Sequence, residues 1–318
     1  MARISRRENT LLVTGGAGYI GSVLIRELAQ DKHFHDRVIR IYDSLYREHL
    51  CGLMDLSEDA AYEFIEGDVL DRLNLLRAMQ GADTVFHLAG IVRAPLSFDQ
   101  PELTRQVNHW GTSMVVDCAI EAGVKKLIYA SSASVYGPGG PFGEDDPCRP
   151  VGPYAKSKRQ GEQVVLEGRK RGLDAVVLRL GTTFGYAPSM RFDAVVSRFA
   201  FLAGINRTIS VHGNGEQVRP FIHVRDATSA FRWCCTHGSR EKPVLNVVAL
   251  NISINGILEE LRQLVPGVAT HYTDQDLMSE LSIEVDSSAI LKQGYTFDHG
   301  IADGLREMLG KWKGYSGG

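Results

Sequence analysis

Tyr154-Ala-Lys-Ser-Lys158 sets a phenol and an amine four positions apart, a spacing that puts both on one face of a helix. A free phenol titrates near ~10 and is a poor base at neutral pH. A nearby ammonium stabilises the phenolate and brings it toward working range. The pair also occurs on ordinary helices, so it needs company. Ser131-Ser-Ala-Ser-Val-Tyr-Gly137 supplies it, because a hydroxyl there can hydrogen-bond a reacting C–O group. Upstream, Gly15, Gly18 and Gly21 form a Gly-x-x-Gly-x-x-Gly turn. Small residues let the backbone approach a pyrophosphate, which then rests on the positive end of the next helix. Asp43 follows Gly21 by 22 residues, close to the ~20 expected of a ribose-binding acid. A carboxylate there accepts from both ribose hydroxyls and repels a 2′-phosphate, which favours NAD over NADP.

Two further clusters fall at strand ends. In Glu66-Gly-Asp-Val69, Asp68 either reaches an adenine edge or caps the next helix. His87-Leu-Ala-Gly90 closes another apolar run with small residues, suited to close backbone approach. His87 itself reads as a packed strand residue.

These groups need a scaffold, and short apolar runs alternating with helical stretches outline one. Strands are expected at Thr10–Thr14, Val38–Tyr42, Tyr62–Ile65, Thr84–Leu88, Lys126–Ala130 and Asp174–Arg179. Helices are expected over 22–30 and about 70–80, 103–122 and 154–172. That rhythm describes an α/β Rossmann fold, a doubly wound parallel sheet covered on both faces, over residues 1–180. After Arg179 the rhythm breaks into Gly, Thr and Pro, with a strand into a turn over Ile209–Gly215. Residues 181–318 then form mostly a smaller, discontinuous substrate lobe, with about 218–250 returning to the main sheet through a strand at Val244–Ala249. Helical patterns near 255–265, 287–292 and 301–312 belong to that lobe.

Composition excludes some functions. Thirty-five Lys+Arg against 38 Asp+Glu leave a net charge of −3, without the basic excess of a nucleic-acid or anionic-membrane binder. No apolar run reaches the roughly 18 residues of a membrane span. The first ten residues do not read as a signal peptide. Five cysteines without metal-type spacing suggest reduced thiols, a cytoplasmic location and no metal.

Taken together, Thr14–Gly21, His87–Gly90, Asn108 with Gly111-Thr112, Ser132–Gly137, Tyr154–Lys158 and Arg219-Pro-Phe-Ile-His-Val224 resemble the extended short-chain dehydrogenase/reductase family. The branch is that of NAD-dependent nucleotide-sugar epimerases and dehydratases, and the resemblance runs nearly end to end. It implies that Ser132 and Tyr154 handle the substrate oxygen. Lys158 would bind the nicotinamide ribose and lower the Tyr154 pKa, and Asn108 would steady that region. Tyr19 and Ile20 would cover the pyrophosphate; Gly15, Gly18, Asp43, Asp68, Val69, Leu88, Ala89 and Gly90 would complete the NAD site. Arg219 would clamp a nucleotide diphosphate, unless it is a solvated strand-edge arginine.

The segment after the fifth strand separates the reactions. Dehydratases of this branch resemble Thr-Asp-Glu before Val-Tyr-Gly, and sugar-acid decarboxylases Thr-Ser-Glu. Here it is Ser132-Ala133-Ser134, as in the 4-epimerase type, whose transient 4-keto sugar turns before reduction. On the substrate side the chain departs from the pattern. Leu180-Gly-Thr182-Thr183 lacks the usual Asn, and Asp193 stands where an Asn commonly binds nucleotide, with Arg191 or Arg198 available to offset its charge. Arg93 either binds an acidic substrate group or sits on a solvated loop. Two other readings remain at this point, an NAD(H)-dependent sugar dehydrogenase or ketoreductase and a non-catalytic NAD sensor. The family often dimerises through helices corresponding to 103–122 and 154–172, so a homodimer is expected, with Met114, Val115, Cys118 and Ile120 supplying apolar surface.

Overall fold

Thr10-Leu-Leu-Val-Thr14 carries no polar side chain larger than threonine, and every residue of it is buried. Only a strand covered on both faces tolerates such a run. It is the first of the strands in a computed structural model that describes residues 9–46, 50–92, 94–237, 242–273 and 282–312. In chain order the strands are β1 (Thr10–Thr14), β2 (Val38–Asp43), β3 (Ala61–Glu66), β4 (Ala82–His87), β5 (Lys126–Ser132), β6 (Gly139–Phe142) and β7 (Asp174–Leu180). There follow β8 (Thr182–Phe184), β9 (Ile209–His212), β10 (Val218–His223), β11 (Val244–Val247), β12 (Leu250–Ser253), β13 (Thr270–Thr273) and β14 (Ile283–Val285).

Seven of them form one parallel sheet in the order β11-β7-β5-β4-β1-β2-β3. The chain winds outward through β2 and β3, then returns to lay β4 on the other side of β1. Loops leaving β1 and β4 therefore diverge, and a crevice opens at their carboxyl ends, the usual place for a ligand in such sheets. Successive β1 side chains alternate between the two faces. Leu11 and Val13 pack with Leu24, Ile25 and Leu28 of the Tyr19–Gln30 helix and Phe231 of the Val224–His237 helix. Leu12 packs on the other side with Leu75, Met79, Val115 and Val165. A separate core, including Phe199, Ile257, Leu258, Leu261, Leu305 and Met308, holds the C-terminal lobe.

Two expected features differ. Strand β10 pairs with β8 and β12 in a three-stranded sheet, so within 218–250 the main sheet receives β11 and the helix before it packs on a face. The expected 103–122 helix is broken into Pro101–Arg105, a π-helical turn Gln106–Gly111 and Thr112–Ala122. Its wider turn carries Asn108 to Ile91, accepting from its N–H at 2.8 Å and donating to its carbonyl at 2.9 Å. Such bulges recur where a helix must aim a functional side chain.

Helix Gly152–Lys170 is fastened to β5 and β7 by one buried carboxylate. Glu162 accepts Arg179 Nε and Nη2, each at 2.9 Å, Arg159 Nη1 at 2.7 Å and the Ser131 hydroxyl at 2.6 Å. Neither Glu162 nor Arg179 reaches solvent appreciably. Replacing Glu162 by Gln leaves a buried guanidinium without its counter-charge, and is expected to lower unfolding stability by about 3–5 kcal/mol. Urea denaturation measures it; a midpoint equal to the parent's would show that the pair carries no such weight.

Candidate functional site

The crevice at β1 and β4 opens into a cleft of about 1330 Å³ that reaches the C-terminal lobe. That exceeds the range of a single small-ligand pocket, roughly 300–1,000 Å³, and suits a dinucleotide with a second ligand beside it. The lining divides into two chemically distinct halves.

Backbone builds the first half. Gly15 has φ +74°, and a Cβ on it would stand 2.6 Å from the Ala89 nitrogen. A Cβ on Gly21 would lie 2.2 Å from the Gly15 carbonyl oxygen. Only glycine permits this turn to close, and the result is a shallow cradle under the first turn of the Tyr19–Gln30 helix. Its N-cap Gly18 offers no side-chain acceptor, so the helix amides are left for an anion. Asp43 ends β2 and braces the cradle, accepting Ala17 N–H at 3.0 Å on one oxygen and Leu45 N–H at 2.9 Å on the other. Each oxygen keeps a lone pair for a ribose hydroxyl. Gly18, Tyr19, Ile20, Asp68, Val69, Leu88, Ala89 and Gly90 line the same half. Asp68 does not cap the next helix: Asp71 does, accepting Asn74 N–H at 3.1 Å, while Asp68 turns back to Leu70 N–H. The cradle, the uncapped helix and the acid at the end of β2 fit NAD.

Side chains build the second half. Ser132 ends β5, and its oxygen accepts both the Ser134 N–H at 3.2 Å and the Ser134 hydroxyl at 3.0 Å. Its own proton is thereby free to donate outward. Tyr154 and Lys158 lie one turn apart on the Gly152–Lys170 helix and face the same cleft. Burial holds the Tyr154 phenol above its ordinary range, while the Ser132 hydroxyl and the Arg191 charge pull it down. This differs from the expectation that Lys158 does the lowering, because desolvation of a phenolate outweighs its neighbours. Lys158 is almost wholly buried and donates to the Ala130 carbonyl at 2.9 Å, above the Tyr129 ring. Burial brings its ammonium down to about 8, opposed by Glu162. Asn108 donates to Ser157 Oγ at 3.0 Å, and a Cβ on Gly90 would sit 2.9 Å from its oxygen and 3.3 Å from Lys158 Nζ. His87 is a packed strand residue, bonded to Thr14 and Thr112, with burial and Lys158 depressing its pKa to about 3.

Toward the C-terminal lobe the cleft is lined by Arg191, Asp193, Arg198, His212 and Arg219. Arg191 meets Asp193 at 2.9 Å and so offsets the acid that replaces the usual Asn. Arg219 is half-buried, and desolvation lowers its guanidinium pKa. Arg93 lies outside the described residues. Sequence reasoning passed over Glu162 and named Arg191 only as a counter-charge for Asp193. Glu162 was within reach, because it stands four residues after Lys158 on the same helix; Arg191 had no local signal tying it to Tyr154. Among the described residues no cluster of three or more His, Cys, Asp or Glu could hold a metal ion, and all five cysteines are unpaired.

A Rossmann sheet with this cradle and this Ser, Tyr and Lys set defines a dinucleotide-dependent enzyme of the extended short-chain dehydrogenase/reductase class. The chain belongs to the NAD dependent epimerase/dehydratase family, whose model matches residues 11–248, and its cofactor is NAD. It is 34% identical to the dTDP-D-glucose 4,6-dehydratase of Mus musculus, over 80% of this chain and 72% of that one. It is 35% identical to the UDP-glucose 4-epimerase of Mycolicibacterium smegmatis, over 69% and 71% respectively. The structure of MoeE5 in complex with UDP-glucuronic acid and NAD superposes with a TM-score of 0.83 at 29% identity, covering 96% of this chain and 98% of that one.

Lys158 is protonated below about pH 8 and loses its charge above it. If it holds a ribose through that charge, NAD affinity is constant on the acid side and weakens as pH rises through about 8. Fluorescence titration from pH 6 to pH 10 checks this, and an affinity flat across the range would remove Lys158 from cofactor binding.

Proposed function

We propose that the protein is a nucleotide-sugar 4-epimerase working through a transient 4-keto sugar. One observation supports this reading over dehydration: among the described residues, the segment that carries Ser132 continues with Ala133 and Ser134 and brings no carboxylate to Tyr154. Ala133 is buried, and the Ser134 hydroxyl is turned onto Ser132. The acids lining the cleft are Asp43 and Asp68 in the cofactor half, Asp99, and Asp193 with Arg191 against it. Elimination needs an acid for the leaving hydroxyl and a base for the C5 proton, and among the described residues Ala133 and Ser134, next to Ser132, can serve as neither. The mouse relative is named a dehydratase, but overall identity reports the shared scaffold, whereas the reaction depends on these few groups.

In this reading Tyr154 takes the C4 hydroxyl proton and later returns it. Ser132 donates to the same oxygen and holds it as its charge changes. Arg191 and Ser132 draw the phenol toward ionisation, Lys158 would hold the cofactor's ribose, and Asn108 keeps the Gly90–Ile91 backbone in place. NAD, when bound, supplies the acceptor and the donor of the hydride. Arg219 would take the diphosphate, and the cleft beyond Tyr154 leaves the keto sugar room to turn. Five free thiols suit a reducing compartment, and we assign the cytoplasm; among the described residues no helix is long and apolar enough to cross a membrane.

The purified protein is expected to carry NAD and to interconvert C4 epimers of UDP- or dTDP-hexoses, followed by NMR, without net NADH formation. Tyr154→Phe is expected to lower kcat by about 10²–10⁴-fold. Net consumption of NADH with a keto sugar would replace this reading by a ketoreductase.

A homodimer through the outer face of the Thr112–Ala122 and Gly152–Lys170 helices is also proposed. Val115 and Cys118 do not contribute, since both are buried in the core, and Met114 and Ile120 are partly covered by it. Trp110, in the π-helical turn just before Thr112, is exposed, with the Arg105 guanidinium over its ring. Analytical ultracentrifugation is expected to give twice 35.0 kDa at micromolar concentration, and a 35.0 kDa species would refute the dimer.

A further inference from the structure

The cofactor cradle and the last helix, Ile301–Gly310, are joined by an unbroken set of short contacts that the chemistry above does not use. Tyr19 begins the helix after the glycine-rich turn, and its hydroxyl donates to the Gly185 carbonyl at 2.6 Å in a buried setting. Gly185 has φ +104°, and a Cβ on it would come within 2.4 Å of the His223 ring, which packs directly against its backbone. The ring atom nearest that Cβ, His223 Nε2, also stands 3.5 Å from Glu307 Oε2, close but not hydrogen-bonded. The same Glu307 oxygen accepts the Tyr186 N–H at 3.4 Å, and the other accepts Arg225 Nη2 at 2.9 Å. His299 stacks on His223 with ring centres 4.5 Å apart and is held by Asp226 at 2.7 Å. At Gly304 the helix runs so close that a Cβ would meet Phe184 at 2.6 Å and His223 at 3.2 Å.

We propose that Tyr19, Gly185, His223 and Glu307 form a clasp through which the C-terminal helix holds the dinucleotide cradle closed and slows the release of NAD. Tyr19 lines the cofactor half of the cleft, yet its side chain is fixed from outside it, among Val23, Ala187 and Val224. For the turn and the 184–187 loop to part, a buried hydroxyl must leave its carbonyl with no water to replace it, which makes opening costly. Glu307 sets how firmly the loop resists, because it accepts the Tyr186 N–H and stands against the ring behind Gly185. These are positioning residues: they act on the cofactor through the cradle and carry no proton of the reaction. The clasp holds equally for an epimerase and a reductase, so its test is independent of that choice.

The test measures the rate at which bound NAD leaves the purified holoenzyme, with excess competing dinucleotide as trap, together with melting temperature with and without added NAD. Tyr19→Phe, which removes only the hydroxyl, is expected to release NAD about tenfold faster. Glu307→Ala is expected to do the same through the loop, and Glu307→Gln, which can still accept the Tyr186 N–H, to retain most of the parent's slow release. In the faster variants the rise in melting temperature produced by NAD shrinks. A release rate unchanged in both Tyr19→Phe and Glu307→Ala overturns the clasp. So does a melting temperature that falls equally with and without NAD, which marks a purely structural role.

Discussion

The site depends on keeping an ammonium charged where almost no water reaches it. Lys158 is 2% exposed, and desolvation takes its pKa down to about 8. An ammonium in that position survives only with acceptors and negative potential around it. The Ala130 carbonyl supplies one bond, the Tyr129 ring a π face and Glu162 the opposing charge. His87, close enough to feel Lys158, stays neutral because burial and that same charge push it to about 3. Were it charged, the two cations would repel, and His87, the more acidic of the two, would give up its proton first. Much of the surrounding architecture follows from this one requirement: the end of β5 must present a carbonyl, and the helix must carry its acid one turn beyond the lysine.

Glu162 connects that requirement to the fold. It is shared between Arg179 of β7, Arg159 of its own helix and Ser131 of β5, so one carboxylate fixes the sheet, the helix and the residue beside Ser132. Arg179 continues the network to the Tyr136 hydroxyl, which also meets Asn246 of β11. A network satisfied on all sides is rigid, and rigidity is what a Ser–Tyr pair needs to meet one oxygen with two groups. The cofactor half obtains its shape differently, from glycines that let main chain touch main chain. There the groups turned toward the cleft are backbone amides, whose positions the sheet dictates.

Much of this was legible in the chain. A wholly apolar β1, the glycine spacing after it and Asp43 at the end of β2 are local features, and each strand-turn-helix unit is specified by residues close in sequence. The Tyr154–Lys158 spacing is equally local, since four residues on a helix share a face wherever the helix lies. Periodicity was silent about partners. It marked Val115 and Cys118 as apolar, but not that the sheet rather than a second subunit covers them. It marked Val218–His223 as a strand, but not that β8 and β12 would pair with it. Nor did it separate a regular helix from one with a π turn at Asn108, because the turn exists to satisfy Ile91, 17 residues away.

The sequence by itself determined the doubly wound sheet, the NAD cradle and the identity of the Ser, Tyr and Lys that face it, because each is encoded in a short window whose geometry is that of a single turn, strand or helix. Only the tertiary structure decided which charge each of them feels and what packs against the cradle. Arg191 is 37 residues from Tyr154 by number, and Gly185 is 166 residues from Tyr19. Interactions of that span are set by how whole elements pack, and electrostatic effects depend on distance and burial, which no window of sequence contains.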